Sequence, residues 1–277
     1  PVVSALGRDD LAAPPDHALP GRRRMSDLRR LLAIETAGPV ASIVLADEGR
    51  VLARHFLEQP RTHSAGMIPA ITSVLDAAGV ARDELTAIAV GEGPGSFTGV
   101  RVAAATAKGL SHALGLPLYT VSSLLGAALT EQVAAESLAG LAEPTDATVS
   151  PDAPPIGLRV VLFDARGDRL FMAAYRLATD LPDVVAEPTF ATLPDVLSDI
   201  RFRGAAFCGD GALRHANRIA ESAGTILAPP IGFPSADGIV RALDLDPTPR
   251  PVADAHAWEP TYLRDTGAVR ARREARA

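Results

Sequence analysis

A glycine-rich segment, GEGPGSFTGVR, spans Gly91–Arg101 between a predicted buried strand and an Ala-rich helix. Its first three glycines permit positive φ angles and close backbone approach, and Pro94 fixes one turn between them. Ser96 is the expected N-cap of the helix, with the backbone N–H groups around Phe97–Gly99 pointing outward. Such a positive helix end can bind phosphate or carboxylate.

The segment matches neither of the common nucleotide loops. No GK[ST] follows it, which excludes a Walker loop, and Ser96 stands where G-x-G-x-x-G needs its third glycine. It also does not follow the first strand of a βαβ unit, where a dinucleotide fingerprint belongs. The alternative is a tight strand-to-helix turn whose glycines serve packing, and the sequence leaves both interpretations open.

The helix after the loop is rich in small side chains, which allow close packing within one chain or across a dimer. Phe97 is either a core residue or an exposed anchor for a partner, and Arg101 could face an anion, a partner carboxylate or solvent. We therefore predict a partner interface or anion-binding loop here. Its candidate residues are Gly91, Gly93, Pro94, Gly95, Ser96, Phe97, Thr98, Gly99, Arg101, Ala104, Ala107 and Lys108.

Other residues that could carry chemistry give weaker patterns. Glu35 and Thr36 end the first predicted strand and Asp164 opens the second half, so a nucleotide cleft between two lobes is conceivable. The six histidines include no pair spaced by four residues, which argues against a metal pair on a helix and predicts no metal site. Cys208, the single cysteine, is expected in the core.

Composition places the chain among folded, cytoplasmic proteins. It has 277 residues, is 47% hydrophobic, carries a formal net charge of −6 and has no apolar run long enough to span a bilayer. Basic residues cluster only near the ends, at Arg22–Arg24 and in the tail from Arg264. Any contact with RNA is therefore expected to depend on a partner.

Hydrophobic periodicity predicts an α/β protein with mixed sheets and two related lobes. The first half reads βββαβαβα, the order of an RNase H-like or actin-like lobe, and the hairpin LRVVLFDARGDRLFMAAY repeats its opening less regularly. A third run near 183–190, a helix near 194–200, the strand GAAFCG, a helix from about 211 to 223 and a strand at 225–227 follow. The predicted divisions are a disordered leader or mis-assigned start at 1–27, an N-terminal lobe at 28–140, a Pro-rich acidic linker at 141–156, a C-terminal lobe at 157–264 and a basic tail at 265–277.

The region IAVGEGPGSFTGVRVAAATAKGLSHALGLPLYTVSSL resembles the signature region of the TsaB (YeaZ) family. Further matches follow in order: LLAIETA with ASIVLAD, HSAGMIPAI, FDARGDRLFMAAY, CGDGA and the terminal PTYLR. The resemblance covers roughly Leu31 to Arg264. Many relatives have Asp where this chain has Glu35, which weakens any inherited nucleotide role.

The resemblance implies a two-lobed actin-like (ASKHA, RNase H-like) fold and a role in forming threonylcarbamoyladenosine at position 37 of tRNA. It implies a non-catalytic scaffold that forms a heterodimer with its catalytic paralogue TsaD, with the ATPase TsaE and tRNA joining at the level of the complex. No cofactor of its own is implied, and ATP would enter only through the complex. We expect the TsaD-binding surface on the helices that flank the glycine loop, and the resemblance implies that this surface forms a homodimer when TsaD is absent. The alternative is a stand-alone ATPase or phosphotransferase of the same fold, with nucleotide between the lobes.

Overall fold

The computed structural model describes residues 28–57, 63–130, 149–150, 156–178, 181–222 and 224–263. The predicted leader at 1–27, the basic tail at 265–277 and most of the predicted linker lie outside these residues. Across the ranges described, no helix is both long enough and apolar enough to cross a membrane.

The first sheet is built on a fully buried central strand. Its strands are β1 (Leu31–Glu35), β2 (Ala41–Asp47), β3 (Arg50–Leu57), β4 (Ala87–Gly91) and β5 (Leu118–Val121). They lie in the order β3-β2-β1-β4-β5, with β1 antiparallel to β2 and parallel to β4. All five residues of β1 are buried, which explains the continuous apolar run LLAI that opens the pattern.

The second sheet repeats the first. Its strands are β6 (Val149–Ser150), β7 (Gly157–Asp164), β8 (Arg169–Leu177), β9 (Asp183–Thr192), β10 (Ala206–Cys208) and β11 (Thr225–Leu227). The order is β6-β11-β10-β7-β8-β9, so five of the six strands reproduce the arrangement of the first sheet. The β7–β8 turn has positive φ at both Arg166 and Gly167, as the ARGD turn requires. The prediction of two related lobes with mixed sheets, the second less regular, is thus confirmed.

The helices are α1 (His63–Ala78), α2 (Phe97–Leu114), α3 (Ser123–Leu129), α4 (Leu193–Ser198), α5 (Asp210–Arg214), α6 (Ala216–Glu221) and α7 (Ala236–Leu245). The observed elements differ from the predicted ones at two places. The helix expected from 211 to 223 is two short helices that meet at His215. Within the predicted linker, residues 149–150 form the strand β6, which pairs with β11.

The elements form five layers. Helices α1 and α2 pack on one face of the first sheet, and α3 and α7 lie between the two sheets. Helices α4, α5 and α6 cover the far face of the second sheet. Gly126 and Gly238 allow α3 and α7 to cross closely, because a Cβ at Gly238 would overlap the Gly126 carbonyl. The space between the two sheets is therefore filled by α3 and α7.

The chain returns to the first lobe after β11. The apolar side of α7 packs on β1, β2 and β4 through Ile239, Val240 and Leu243. Beyond α7, the Val252 N–H donates to the Leu118 carbonyl at 2.7 Å. The sequence assigned these residues to the C-terminal lobe, and the lobe boundaries themselves stay a prediction. The chain returns because the apolar side of α7 covers the apolar inner face of the first sheet.

Candidate functional site

The segment after β1 is organised by a buried carboxyl. Glu35 and Thr36 are both 0% exposed, and Glu35 Oε1 accepts the N–H groups of Thr36 and Ala37, each at 2.7 Å. Burial raises the pKa of Glu35, although the N–H groups of Ala37 and Thr36 and the Ser123 hydroxyl oppose this shift. Glu35 therefore fixes the backbone that leaves the central strand.

The glycine loop rests on this same backbone. The Ser96 N–H donates to the Ala37 carbonyl at 2.8 Å, and the Thr36 hydroxyl donates to the Gly99 carbonyl at 2.6 Å. An added Cβ at Gly91 or Gly99 would lie within 3.0 Å of Glu35 Oε2 or of the Thr36 carbonyl, respectively. These glycines are thus required for packing.

The start of α2 partly matches the prediction. Ser96 is the N-cap, and its hydroxyl accepts the Gly99 N–H at 3.3 Å. Gly99 is buried, so the expectation that all N–H groups of Phe97–Gly99 point outward is wrong for this residue, whose N–H group is occupied by the cap. Phe97 and Thr98 are exposed, whereas Gly93 and Pro94 are buried and joined by a cis peptide bond.

Arg101 contacts two neighbouring aromatic rings at the exit of the loop. Its guanidinium carbon is 3.7 Å from the centroid of the Phe97 ring and 5.6 Å from that of Tyr262. Arg101 Nε donates to Tyr262 Oη at 3.2 Å, and the two rings are 5.6 Å apart. Contacts of this kind stabilise a guanidinium in one orientation. Arg101 is therefore an ordered surface cation.

Lys108 faces the C-terminal segment of the chain. Its Nζ donates to the Trp258 carbonyl at 2.8 Å, and Trp258 packs at the edge of the core beneath α1 and α2. The Thr261 N–H donates to the Glu92 carbonyl at 2.9 Å, directly after β4. Burial raises the pKa of Glu92, and a hydrogen bond from Thr120 opposes the shift. The sequence analysis did not predict that the C-terminal segment packs against α2 and the glycine loop, although the aromatic residue in PTYLR could have indicated such a contact.

Ala104 and Ala107 do not form an exposed face, which corrects their assignment to a partner interface. They are 5% and 0% exposed, and Ala107 packs in the core between α2 and the first sheet. The exposed positions of α2 include Arg101, Ala105 and Gly109. The small side chains at 104 and 107 are explained by packing within the chain.

Asp164 occupies in the second sheet the place that Glu35 occupies in the first. Its Oδ2 accepts Arg214 Nη1 at 2.6 Å and its Oδ1 accepts the Arg166 N–H at 2.9 Å. Its own N–H donates to Asp210, whose pKa is raised by burial. Among the residues that the structure describes, no hydrogen bond joins Asp164 to Glu35. The nucleotide-cleft hypothesis stays a prediction.

The single cysteine has a structural role. Cys208 is 0% exposed, and burial raises the pKa of its thiol to about 12, so it is a core residue as predicted. In the part of the chain that the structure covers, no three His, Cys, Asp or Glu side chains are grouped so that they could hold a metal ion.

Comparison with known proteins agrees with this architecture. A family profile described as TsaD: tRNA N6-adenosine threonylcarbamoyltransferase matches residues 50–206. The protein TsaB of Bacillus subtilis, named for tRNA threonylcarbamoyladenosine biosynthesis, is 29% identical over 84% of this chain and 93% of its own length. The TsaB protein of Escherichia coli is 41% identical over 35% of this chain and 41% of its own length.

Solved structures give the same result. A Pseudomonas aeruginosa protein described as similar to peptidase YeaZ superposes with a TM-score of 0.65 at 26% identity, covering 85% of this chain and 100% of its own. A second structure, YeaZ from Pseudomonas aeruginosa, gives a TM-score of 0.62 at the same identity and coverage. Since the profile also covers more than half of the residues, the chain belongs to the TsaB (YeaZ) family, within the wider family that the TsaD profile describes.

Proposed function

We propose that the chain is a non-catalytic scaffold subunit of the bacterial machinery that forms N6-threonylcarbamoyladenosine at adenosine 37 of tRNA. In this proposal it binds and supports the catalytic subunit TsaD in the cytoplasm, while TsaE, ATP and tRNA join at the level of the complex. The observation that carries the proposal is the near full-length match to a relative named for tRNA threonylcarbamoyladenosine biosynthesis. The histidine spacing supports a non-catalytic role. TsaD-like proteins carry a metal-binding H-x-x-x-H pair on a helix, whereas no two histidines of this chain are four residues apart.

The proposed TsaD-binding surface is the outer face of α1 and α2. Both helices pack on the same side of the first sheet, and both follow strands that run in the same direction, so their first turns lie at the same end. Two large apolar side chains are exposed near that end, with Ile68 56% and Phe97 41% exposed. Aromatic residues such as Phe97 are enriched at protein interfaces. We therefore place the interface on this exposed face rather than on Ala104 and Ala107.

The proposal is tested by capture of the cognate TsaD on immobilised protein. Ile68→Glu should weaken capture at least tenfold, because a charge would have to be buried against the partner. Ile200→Glu is the matched control, since Ile200 is 69% exposed and lies in the second lobe. Equal capture by both variants would exclude the α1/α2 face.

A second experiment tests the role itself. Reconstituted tRNA modification is measured with and without this chain, using TsaD, TsaE and the enzyme that supplies threonylcarbamoyl-AMP. We expect modification to depend on the chain. Full modification in its absence would contradict the scaffold function.

A further inference from the structure

The last described segment, Val252–Leu263, lies across the first lobe and is called here the C-terminal strap. The strap is fixed at three separate places: the carbonyl of Leu118 in β5, the side chain of Lys108 in α2 and the carbonyl of Glu92 after β4. It approaches the glycine loop closely, because an added Cβ at Gly93 would lie 3.1 Å from the Thr261 carbonyl. The strap is thus part of the structure that surrounds the loop.

Near its end the strap reaches Arg101. Tyr262 Oη binds Arg101 Nε, and the Phe97 ring supports the guanidinium from its face at 3.7 Å. Within the described ranges, no carboxylate forms an ion pair with Arg101, whereas six other arginines are paired in this way. The side chain therefore carries an ordered positive charge whose terminal nitrogens bond to no described residue.

An ordered guanidinium of this kind favours a carboxylate. Its planar fork matches the two oxygens of a carboxylate, and prior ordering lowers the entropy lost on binding. Arginine and aromatic side chains are also enriched among the residues that dominate protein interfaces. A stacked nucleobase fits less well, because the guanidinium already occupies one face of the Phe97 ring and the chain carries a net charge of −6.

We propose that Arg101 is an anchor that binds a carboxylate side chain of the protein partner, and that Tyr262 of the strap is the positioning residue that orients it. This inference rests on the proposed function, since it specifies the chemistry of that binding face. It gives a role to the PTYLR motif, whose tyrosine is Tyr262.

The test is the dissociation constant for the cognate TsaD, measured by titration calorimetry on the full chain. Arg101→Lys should weaken binding about tenfold, because lysine keeps the charge but loses the fork and the ring contacts. Tyr262→Phe, which removes one hydroxyl and keeps the ring, should weaken binding about threefold. Arg218→Lys, at an exposed arginine of α6, is the control and should leave the constant unchanged.

A double variant separates positioning from general stability. If Tyr262 acts through Arg101, Tyr262→Phe should cause no further loss in the Arg101→Lys background. A further threefold loss there, or wild-type affinity of both single variants, would overturn the inference while leaving the proposed function intact. Absence of binding by the wild-type chain would instead refute the proposed function. Weakened binding of tRNA to isolated Arg101→Lys protein, with unchanged affinity for TsaD, would also overturn the inference in favour of an RNA contact.

Discussion

Replacing Gly91 by alanine tests whether the buried carboxyl of Glu35 determines the glycine loop. An added Cβ would lie 2.5 Å from Glu35 Cδ and 2.7 Å from Glu35 Oε1, whereas ordinary van der Waals contact begins at 3.4 Å. Glu35 has no exposed surface, so its carboxyl cannot move into solvent. The clash must displace the carboxyl from the N–H groups of Thr36 and Ala37, which it binds at 2.7 Å.

The expected cost follows from these two effects. Overpacking a core site costs about 1–3 kcal/mol, and losing two buried hydrogen bonds costs about 1 kcal/mol each. We therefore expect Gly91→Ala to lower the free energy of unfolding by about 3–5 kcal/mol, measured by urea denaturation with an unchanged m-value. Gly109→Ala is the matched control, because nothing lies within 4 Å of its added Cβ and alanine favours a helix by about 0.5–1 kcal/mol.

A double-mutant cycle identifies the cause. In a Glu35→Ala background the clashing carboxyl is absent, so the cost of Gly91→Ala should fall by about 2 kcal/mol or more. A free energy of unfolding of Gly91→Ala within about 0.5 kcal/mol of the wild-type value would show that the added Cβ causes no such clash. An equal cost of Gly91→Ala in both backgrounds would show that the destabilisation arises elsewhere.

Three further outcomes are expected. Ala107→Glu should lower the free energy of unfolding by more than about 3 kcal/mol because it buries a charge, whereas Ala105→Glu on the exposed side of α2 should leave urea denaturation unchanged. The folded-state pKa of Glu35 is above its ordinary 4.5, so the contribution of Glu35 to stability falls as the pH rises from 4.5 through the folded-state pKa. Over this pH range Glu35→Gln should gain stability relative to the wild type. A difference in stability that does not change with pH would contradict this. Cys208 should resist alkylation in the native protein and react in urea, and rapid native labelling would contradict its burial.

The overall fold could be predicted because its signals are local. The buried strand β1 is a continuous apolar run, and the hairpin turn at Arg166–Gly167 is marked by its own residues. The return of α7 to the first sheet could not be predicted in the same way. Its apolar side is compatible with either lobe, and the choice depends on the close crossing at Gly126 and Gly238, which are far apart in the sequence.

The contacts made by the candidate site residues could not be predicted from the sequence. Along α2 the alanines occur on both sides of the helix, so the pattern does not distinguish the buried Ala104 from the exposed Ala105. Arg101 resembled an ordinary surface arginine because its partner Tyr262 is 161 residues away along the chain. A contact over that distance is fixed by the fold, and no local spacing reveals it.

Strands β1 and β7, which occupy equivalent places in the two sheets, each end in a carboxylate that binds the following backbone. Glu35 binds the two N–H groups that follow it, and Asp164 accepts the N–H of Arg166 two residues on. Each carboxylate thus holds the backbone that leaves its strand. These bonds occupy Oε1 of Glu35 and Oδ1 of Asp164, so each of these two oxygens already has a backbone partner. Since Glu35 is also fully buried and its pKa is raised by that burial, it is poorly placed to bind a cation. These contacts weigh against a stand-alone ATPase and favour the interpretation of the glycine loop as support for a binding face.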